Sequence, residues 1–490
     1  MLFIFLTLCS LSFANVEGDY YNFELPEGYE EIEKENQLIT RTFSNEDSKI
    51  RIFNQYLGIH SYRSYIDYGN QQLYLEKAGF QVLKKEIKTI AGFKVELYIY
   101  KRPAFTNIEN DQNLYIEGHI FDKGKNRAIT IWGKTQEKNQ SKLAEDIESI
   151  FSSLKLTNNG FRFSYAYPYY GEMKDVKLSG KNTELIIGKN ETLWGRFFPG
   201  YPFYKGSEEK MLNSEQKLDH FFEFIMTYKA FPSAEPFPIK DLERVYEDGR
   251  VVMLTLQPFT KDLSWIAVPE FIEGKHDQKI IDLAEKLKSL DEPVFIRPIN
   301  EMNGDWDPWC AWFFGKDTDL YIKAWQHIIS IMREHGGDKL QFVWNPHDRS
   351  YPDFNWNNPH MYYPGNDYVD WVGLTGYNNG TSHPGDVWRE FDSIYAPVYN
   401  DYLRRYSSKP FIITEFSTNE VGGDKSKWIE KGFKSLAEKY HNIKIAVWFD
   451  GQDGLWQYQT DSSEKAFQAF KEGIKNPGFP LNTVRKDLTK

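Results

Sequence analysis

Two glutamates in this 490-residue chain stand where apolar, β-rich runs give way to polar loops. The first lies in the string Arg297-Pro298-Ile299-Asn300-Glu301-Met302-Asn303-Gly304-Asp305-Trp306, the second in Phe411-Ile412-Ile413-Thr414-Glu415-Phe416. Two carboxyl groups presented from opposed strands are the smallest apparatus that breaks a glycosidic bond. One stays protonated to donate to the leaving oxygen, and the other stays ionised to attack or to activate water. A single strand-end glutamate is as readily a solvated loop residue, but two of them beside a dense aromatic set favour chemistry. Arg297 shares strand parity with Ile299 and Glu301. It is therefore expected beneath Glu301, where a fixed cation holds a neighbouring carboxylate ionised.

Aromatic residues surround these strings. Trp306, Trp309 and Trp312 follow one another at three-residue spacing just past Glu301. Flat ring faces suit the C–H side of a pyranose, so at least one of the three is expected to be a sugar platform, although each alone is as easily loop-anchoring core. Tyr377 closes the run ending Gly376-Tyr377-Asn378, and Trp448 closes Ala446-Val447-Trp448. His347, just after Trp344-Asn345, is a candidate hydroxyl ligand, and Trp456 a candidate further sugar contact. The ten histidines form no His-x-x-x-His pair and no Cys/His cluster, so no metal or cofactor is expected. The Gly-x-Ser-x-Gly elbow of a serine hydrolase is absent.

The elements that must carry these residues follow from the apolar pattern. Runs at 193–198, 221–229, 251–256, 293–299, 340–344, 368–374, 410–414 and 444–449 read as fully buried strands. Helical periodicity intervenes at 239–247, 279–290, 320–335, 391–406, 425–440 and 464–475. Eight βα units in about 300 residues predict an α/β protein of the (β/α)8 (TIM) barrel type, with reacting groups at the C-terminal ends of the strands. An open doubly wound sheet is disfavoured, because no Gly-rich phosphate loop follows an early strand.

The Asn-Glu-Met-Asn-Gly-x-Trp core at 300–306, together with Ile413-Thr414-Glu415-Phe416, resembles glycoside hydrolase family 26, in the clan of retaining (β/α)8 barrels, over about residues 190–475. The resemblance implies that Glu301 is the acid/base and Glu415 the nucleophile. It further implies that Trp448 lies under the reacting sugar and that the Tyr377 hydroxyl bonds the nucleophile. Residue 300 departs from the family, which usually has His there; Asn is what most of the clan uses to bind a sugar 2-hydroxyl. The family points to an endo-acting β-1,4-mannanase, and mannan is the leading expectation because the rest of the motif matches. Asn300 points instead to a gluco- or xylo-configured chain, and mixed-linkage β-glucan and β-1,3-xylan stay open. A non-catalytic glycan-binding protein is the alternative class, disfavoured because such a protein need keep neither glutamate.

Residues 15–157 hold a single tryptophan, Trp132, and read as an α+β domain preceding the barrel domain of 158–490. Strands are expected at 38–43, 49–56, 94–100, 113–122 and 127–133, and helices at 61–78 and 140–154. This order of elements resembles the small α/β sandwich of PsbP-like and Mog1-like domains. The charged residues of the domain alternate with apolar ones, the pattern of a solvated sheet face, and point to no chemistry; a glycan or protein partner is the open role for it. Residues 1–14 are apolar and end in Ser12-Phe13-Ala14, the pattern of a signal peptide and hence of a secreted protein, although no basic residue precedes the run. No run reaches the ~20 apolar residues of a membrane helix. Cleavage after Ala14 would leave Cys310 as the only cysteine. A net charge of -11 disfavours a nucleic-acid partner, and 17% aromatic residues, more than a core alone needs, leave rings to face a ligand; the polysaccharide partner follows from the resemblance.

Overall fold

The computed structural model describes residues 14–32, 40–158, 171–258 and 267–480. The expected signal segment lies outside them except for Ala14, as do Leu38 and Ile39 of the first expected strand. The chain divides into two compact units. The first comprises the described residues up to 158 together with Ala311–Asp317 and Pro352–Met361, and the second comprises the remainder.

In the first unit seven strands form an antiparallel sheet, in the order Glu30–Glu31, Thr40–Ser44, Ser48–Tyr56, Arg127–Thr135, Leu114–Asp122, Phe93–Lys101 and Gln81–Ile90. Alternation along Leu114–Asp122 sends Leu114, Ile116 and Ile120 to one face, where they join Leu143, Ile147, Ile150 and Phe151 of the helix Gln140–Ser153. Gly118 lets that helix approach, since a Cβ there would stand 2.4 Å from the Phe151 ring. The other face carries Tyr115, Glu117 and His119. It is not solvated, contrary to the expectation from sequence, because segments from far along the chain cover it. Lys316 Nζ donates to Glu117 at 2.7 Å, Lys134 Nζ to Asp317 at 2.9 Å, and Trp132 Nε1 to the Gly315 carbonyl at 3.0 Å. The ten-residue edge strand Gln81–Ile90 was not foreseen. Its Lys-rich, outward-facing sequence lacks the apolar alternation that reveals a half-buried strand.

Burial alone would raise the Glu117 carboxyl, but the charges of Lys316 and His119 overcome it and hold its pKa at about 2. A depressed carboxylate stabilises the fold above its unfolded pKa near 4.5, and that stability is lost as pH falls toward about 2. Lys316→Met removes the larger of the two charges that compensate buried Glu117 and leaves it only His119, so the variant should lose about 3 kcal/mol in denaturant titration at neutral pH. The loss should shrink as acid protonates Glu117, and a uniform loss across pH would exclude the charge pair as its cause.

The second unit is a closed barrel of eight parallel strands: β1 (Leu193–Phe197), β2 (Phe224–Ala230), β3 (Val251–Gln257), β4 (Val294–Pro298), β5 (Leu340–Trp344), β6 (Trp371–Asn378), β7 (Phe411–Thr418) and β8 (Ile443–Phe449). Pairing of Leu193 with Ile445 closes it. β6 and β7 run about four residues further than the apolar pattern indicates. Glu415 therefore lies within a strand rather than after one. The polar stretch 207–218, where no element was expected, is the helix Ser207–Leu218, whose buried stripe is only Ser207, Met211, Glu215 and Leu218.

Candidate active site

β4 ends at Pro298, and the chain then takes two turns of backbone that L-residues rarely adopt: Ile299 has φ 37° and Glu301 φ 54°. Neighbouring strands hold this strained path. Ile299 N donates to the Leu256 carbonyl at 3.1 Å, Glu301 N to the Asn345 carbonyl at 2.7 Å, and the Tyr321 hydroxyl to the Ile299 carbonyl at 3.1 Å. Strain of this kind survives only where surrounding contacts over-determine it, and it concentrates at working sites. In β7, Leu374 pairs with Ile413 but Thr375 pairs with Glu415, so a bulge takes up Thr414. Two consecutive side chains then face inward. Thr414 Oγ1 meets Thr375 Oγ1 at 2.9 Å, and Glu415 reaches the barrel axis.

Arg297 is fully buried between the two glutamates. Its guanidinium donates to Glu415 Oε1, to Glu301 Oε1 at 3.2 Å and to Asn345 Oδ1 at 2.6 Å, with Thr255 and Thr375 hydroxyls at 3.2 and 3.4 Å. Glu415 accepts two further hydrogen bonds, from the Tyr228 hydroxyl on Oε1 and from the Tyr377 hydroxyl at 2.6 Å on Oε2. Burial and the charge of Glu415 push both phenols well above their ordinary pKa, which keeps them donors. Every contact on Glu415 is thus a donor. Glu301 is treated differently. Burial first, and the Glu415 charge second, raise its pKa above the usual carboxylate range, against the lowering effect of His347 and Arg297. One carboxyl is held by three donors and the other is biased toward its acid form, the division of labour that glycosidic cleavage requires.

Both glutamates line an open cleft of about 760 Å³. Beside them Trp306 meets His347 edge-on at 5.1 Å and Tyr351 at 5.4 Å. A second aromatic set runs Tyr377, Tyr458, Trp456, with near-parallel rings at 4.8 and 6.4 Å. Among the described residues no group of three or more His, Cys, Asp or Glu is disposed to hold a metal.

Residues 270–450 match the sequence profile of glycosyl hydrolase family 26. Within the barrel the chain is therefore similar to glycosyl hydrolase family 26. The chain is 30% identical over 263 residues to endoglucanase H of Acetivibrio thermocellus, which spans 53% of this chain and 28% of that protein. It is 31% identical over 191 residues to a mannan endo-1,4-beta-mannosidase of Bacillus subtilis (36% of this chain, 46% of the relative). It is also 30% identical over 233 residues to a beta-1,3-xylanase of an Alcaligenes species (42% and 48%). The chain thus spans less than half the length of each.

Of the residues singled out by sequence in this barrel, Glu301, Glu415, Trp306, His347, Tyr377 and Trp456 line the cleft. Arg297 and Asn300 stand just behind its surface. Three tryptophans do not serve as expected. Trp448 points toward the helices, packed against Phe416, Phe433 and Phe470, and Phe449 takes the cleft position instead. Trp309 is fully buried, its Nε1 donating to the Asn300 carbonyl at 2.6 Å, so it supports the loop rather than a sugar. Trp312 belongs to the first unit, where it stacks on Tyr68 at 4.6 Å and donates to the Tyr68 carbonyl. Sequence reasoning missed Tyr228, Gln257, Tyr351 and Tyr458. Gln257 is the last residue of β3 and would have been found by reading every strand end; the others carry no local signal.

Proposed function

We propose that this barrel is an endo-acting β-glycanase that works with retention, Glu301 serving as acid/base and Glu415 as nucleophile. The contrast between the two carboxyls around Arg297 carries this reading. Glu301 protonates the leaving oxygen as Glu415 attacks the anomeric carbon. Glu301, now a carboxylate, then takes a proton from the water that releases the sugar. Tyr228, Tyr377 and Arg297 aim the Glu415 oxygens. The apolar run of residues 1–14 supports export of the protein.

For the sugar at the point of cleavage, we read a gluco-configured ring. Gln257 Nε2 donates to Asn300 Oδ1 at 3.1 Å, which occupies that oxygen and leaves the Asn300 amide hydrogens to meet a sugar hydroxyl. An equatorial 2-hydroxyl suits this donor in place of the family's histidine, and endoglucanase H is a relative in keeping with a glucan chain. The Bacillus subtilis relative keeps mannan as the second reading. Digestion of konjac glucomannan separates the two. Glucose at every new reducing end is the expected result, whereas mannose there assigns the subsite to mannan.

A further inference from the structure

The chain after β8 turns back across the mouth of the barrel as residues 450–462 and brings Asp453, Trp456 and Tyr458 to the cleft. Backbone bonds hold its start and its two-residue hairpin, with Asp450 N on the Phe197 carbonyl at 3.1 Å and Gln452–Asp453 paired with Trp456–Gln457; side-chain ties hold the rest. Several ties are short and buried. Asp450, paired with Arg196 of β1, accepts from Thr460 N at 2.6 Å. Asn419 Oδ1 accepts from Gln457 N at 3.0 Å, and the Ser417 hydroxyl and Trp448 Nε1 donate to the Tyr458 carbonyl at 3.0 and 3.2 Å.

The densest tie is one side chain. Lys425, the first residue of the helix Lys425–Lys439, is 1% exposed. Its Nζ donates to the Gln457 carbonyl at 3.0 Å, the Gln459 carbonyl at 2.8 Å and the Ser462 hydroxyl at 2.8 Å. The Ser462 hydroxyl in turn donates to Glu420 Oε1 at 2.6 Å. An ammonium has three N–H groups and no lone pair, and here it meets three oxygens. A neutral amine offers two N–H groups and one lone pair, so one contact would be lost as a lone pair against a carbonyl, or kept only by turning the Ser462 O–H away from Glu420.

We propose that Lys425 is the positioning residue for the aromatic wall of the cleft: its ammonium fixes 457–462 so that Trp456 and Tyr458 face the sugar, and its loss weakens binding of the chain without slowing bond cleavage. The role assigned to the wall rests on the glycan-cleaving reading of the cleft. The ammonium is poised near its limit. Burial lowers its pKa to about 8, although Glu420, Asp450 and Asp461 each favour the charged form. A rise in pH through that value should loosen the wall.

Two measurements test this. Amide hydrogen exchange in the peptide 450–462 requires no substrate. Lys425→Met should lose protection there at neutral pH, while the strands β2 to β5 keep theirs. In wild type the protection factors of the same peptide should fall between pH 7 and pH 9 relative to those strands. Kinetics on the polysaccharide that proves to be the substrate should show, for Lys425→Met, a pH-independent KM about tenfold or more above that of wild type at neutral pH with kcat little changed, the loss of charge-assisted hydrogen bonds being the cause. Wild-type KM should climb toward that value above about pH 8. The proposal is overturned if the Met variant keeps wild-type protection and KM, or if an alkaline rise in KM persists in it. Should the Met variant fail to fold, the wild-type exchange series decides alone, and flat protection from pH 7 to 9 overturns the proposal. Absence of any turned-over polysaccharide would count against the glycan reading and leave the exchange result standing.

Discussion

Glu415→Ala is expected to abolish turnover, with a fall of about 10⁴-fold or more, as removal of a covalent nucleophile does in other hydrolases. The geometry makes this side chain the hub of the site, because Arg297, Tyr228 and Tyr377 all converge on it. None of the three can replace it, since each is a donor and two are phenols held well above their ordinary pKa. The space left by the carboxylate admits a small anion next to Arg297. Azide added to Glu415→Ala with an aryl glycoside should restore activity and give a glycosyl azide of inverted anomeric configuration, read by NMR. In the intact enzyme a 2-fluoro glycoside of the correct sugar should label the peptide containing Thr414-Glu415-Phe416. Label on another peptide, or an inverted anomer as the first product of wild-type hydrolysis, would remove Glu415 from the role.

The second large effect belongs to Glu301. Glu301→Gln keeps shape but cannot donate a proton, so hydrolysis of polysaccharide should fall about 10²–10⁴-fold, the usual worth of general acid catalysis. Aryl glycosides whose leaving group needs no proton should be largely spared in their first step. The alkaline limb of kcat should vanish with the same change. Burial and Glu415 hold the Glu301 proton above the ordinary range, and wild-type activity is lost as pH rises through that raised value. Stability provides an independent check. The folded chain keeps this proton to higher pH than the unfolded chain, so wild type loses stability as pH climbs from the ordinary carboxylate range to the raised pKa. Glu301→Gln carries no such loss. Its Tm relative to wild type should therefore be higher at neutral pH than in acid, and an unchanged difference would mean that the carboxyl titrates normally.

The barrel is legible in the residues alone, because strands buried on both faces must be short apolar runs and the helices between them must show a period of 3.6. The same pattern pointed to Glu301 and Glu415, since two carboxylates near the ends of such runs, beside a dense aromatic set, favour chemistry at the strand ends. Which neighbours serve them emerges only from the closed fold. A buried parallel strand is apolar on both faces, so its sequence has no alternation from which to read which residue points inward. Trp448 and Phe449 are equally apolar, and the pairing of β8 turns Phe449 to the cleft and Trp448 to the helices. Parity fails again at β7, where the bulge at Thr414 sends two consecutive residues inward, and beyond β4, where positive φ at Ile299 and Glu301 breaks the strand period. Contacts across long sequence distances were equally hidden. Tyr228 meets Glu415 from 187 residues away, and Lys316 neutralises Glu117 from 199. Local pattern shows which faces are apolar; which distant charge compensates a buried one is settled only when the chain closes on itself.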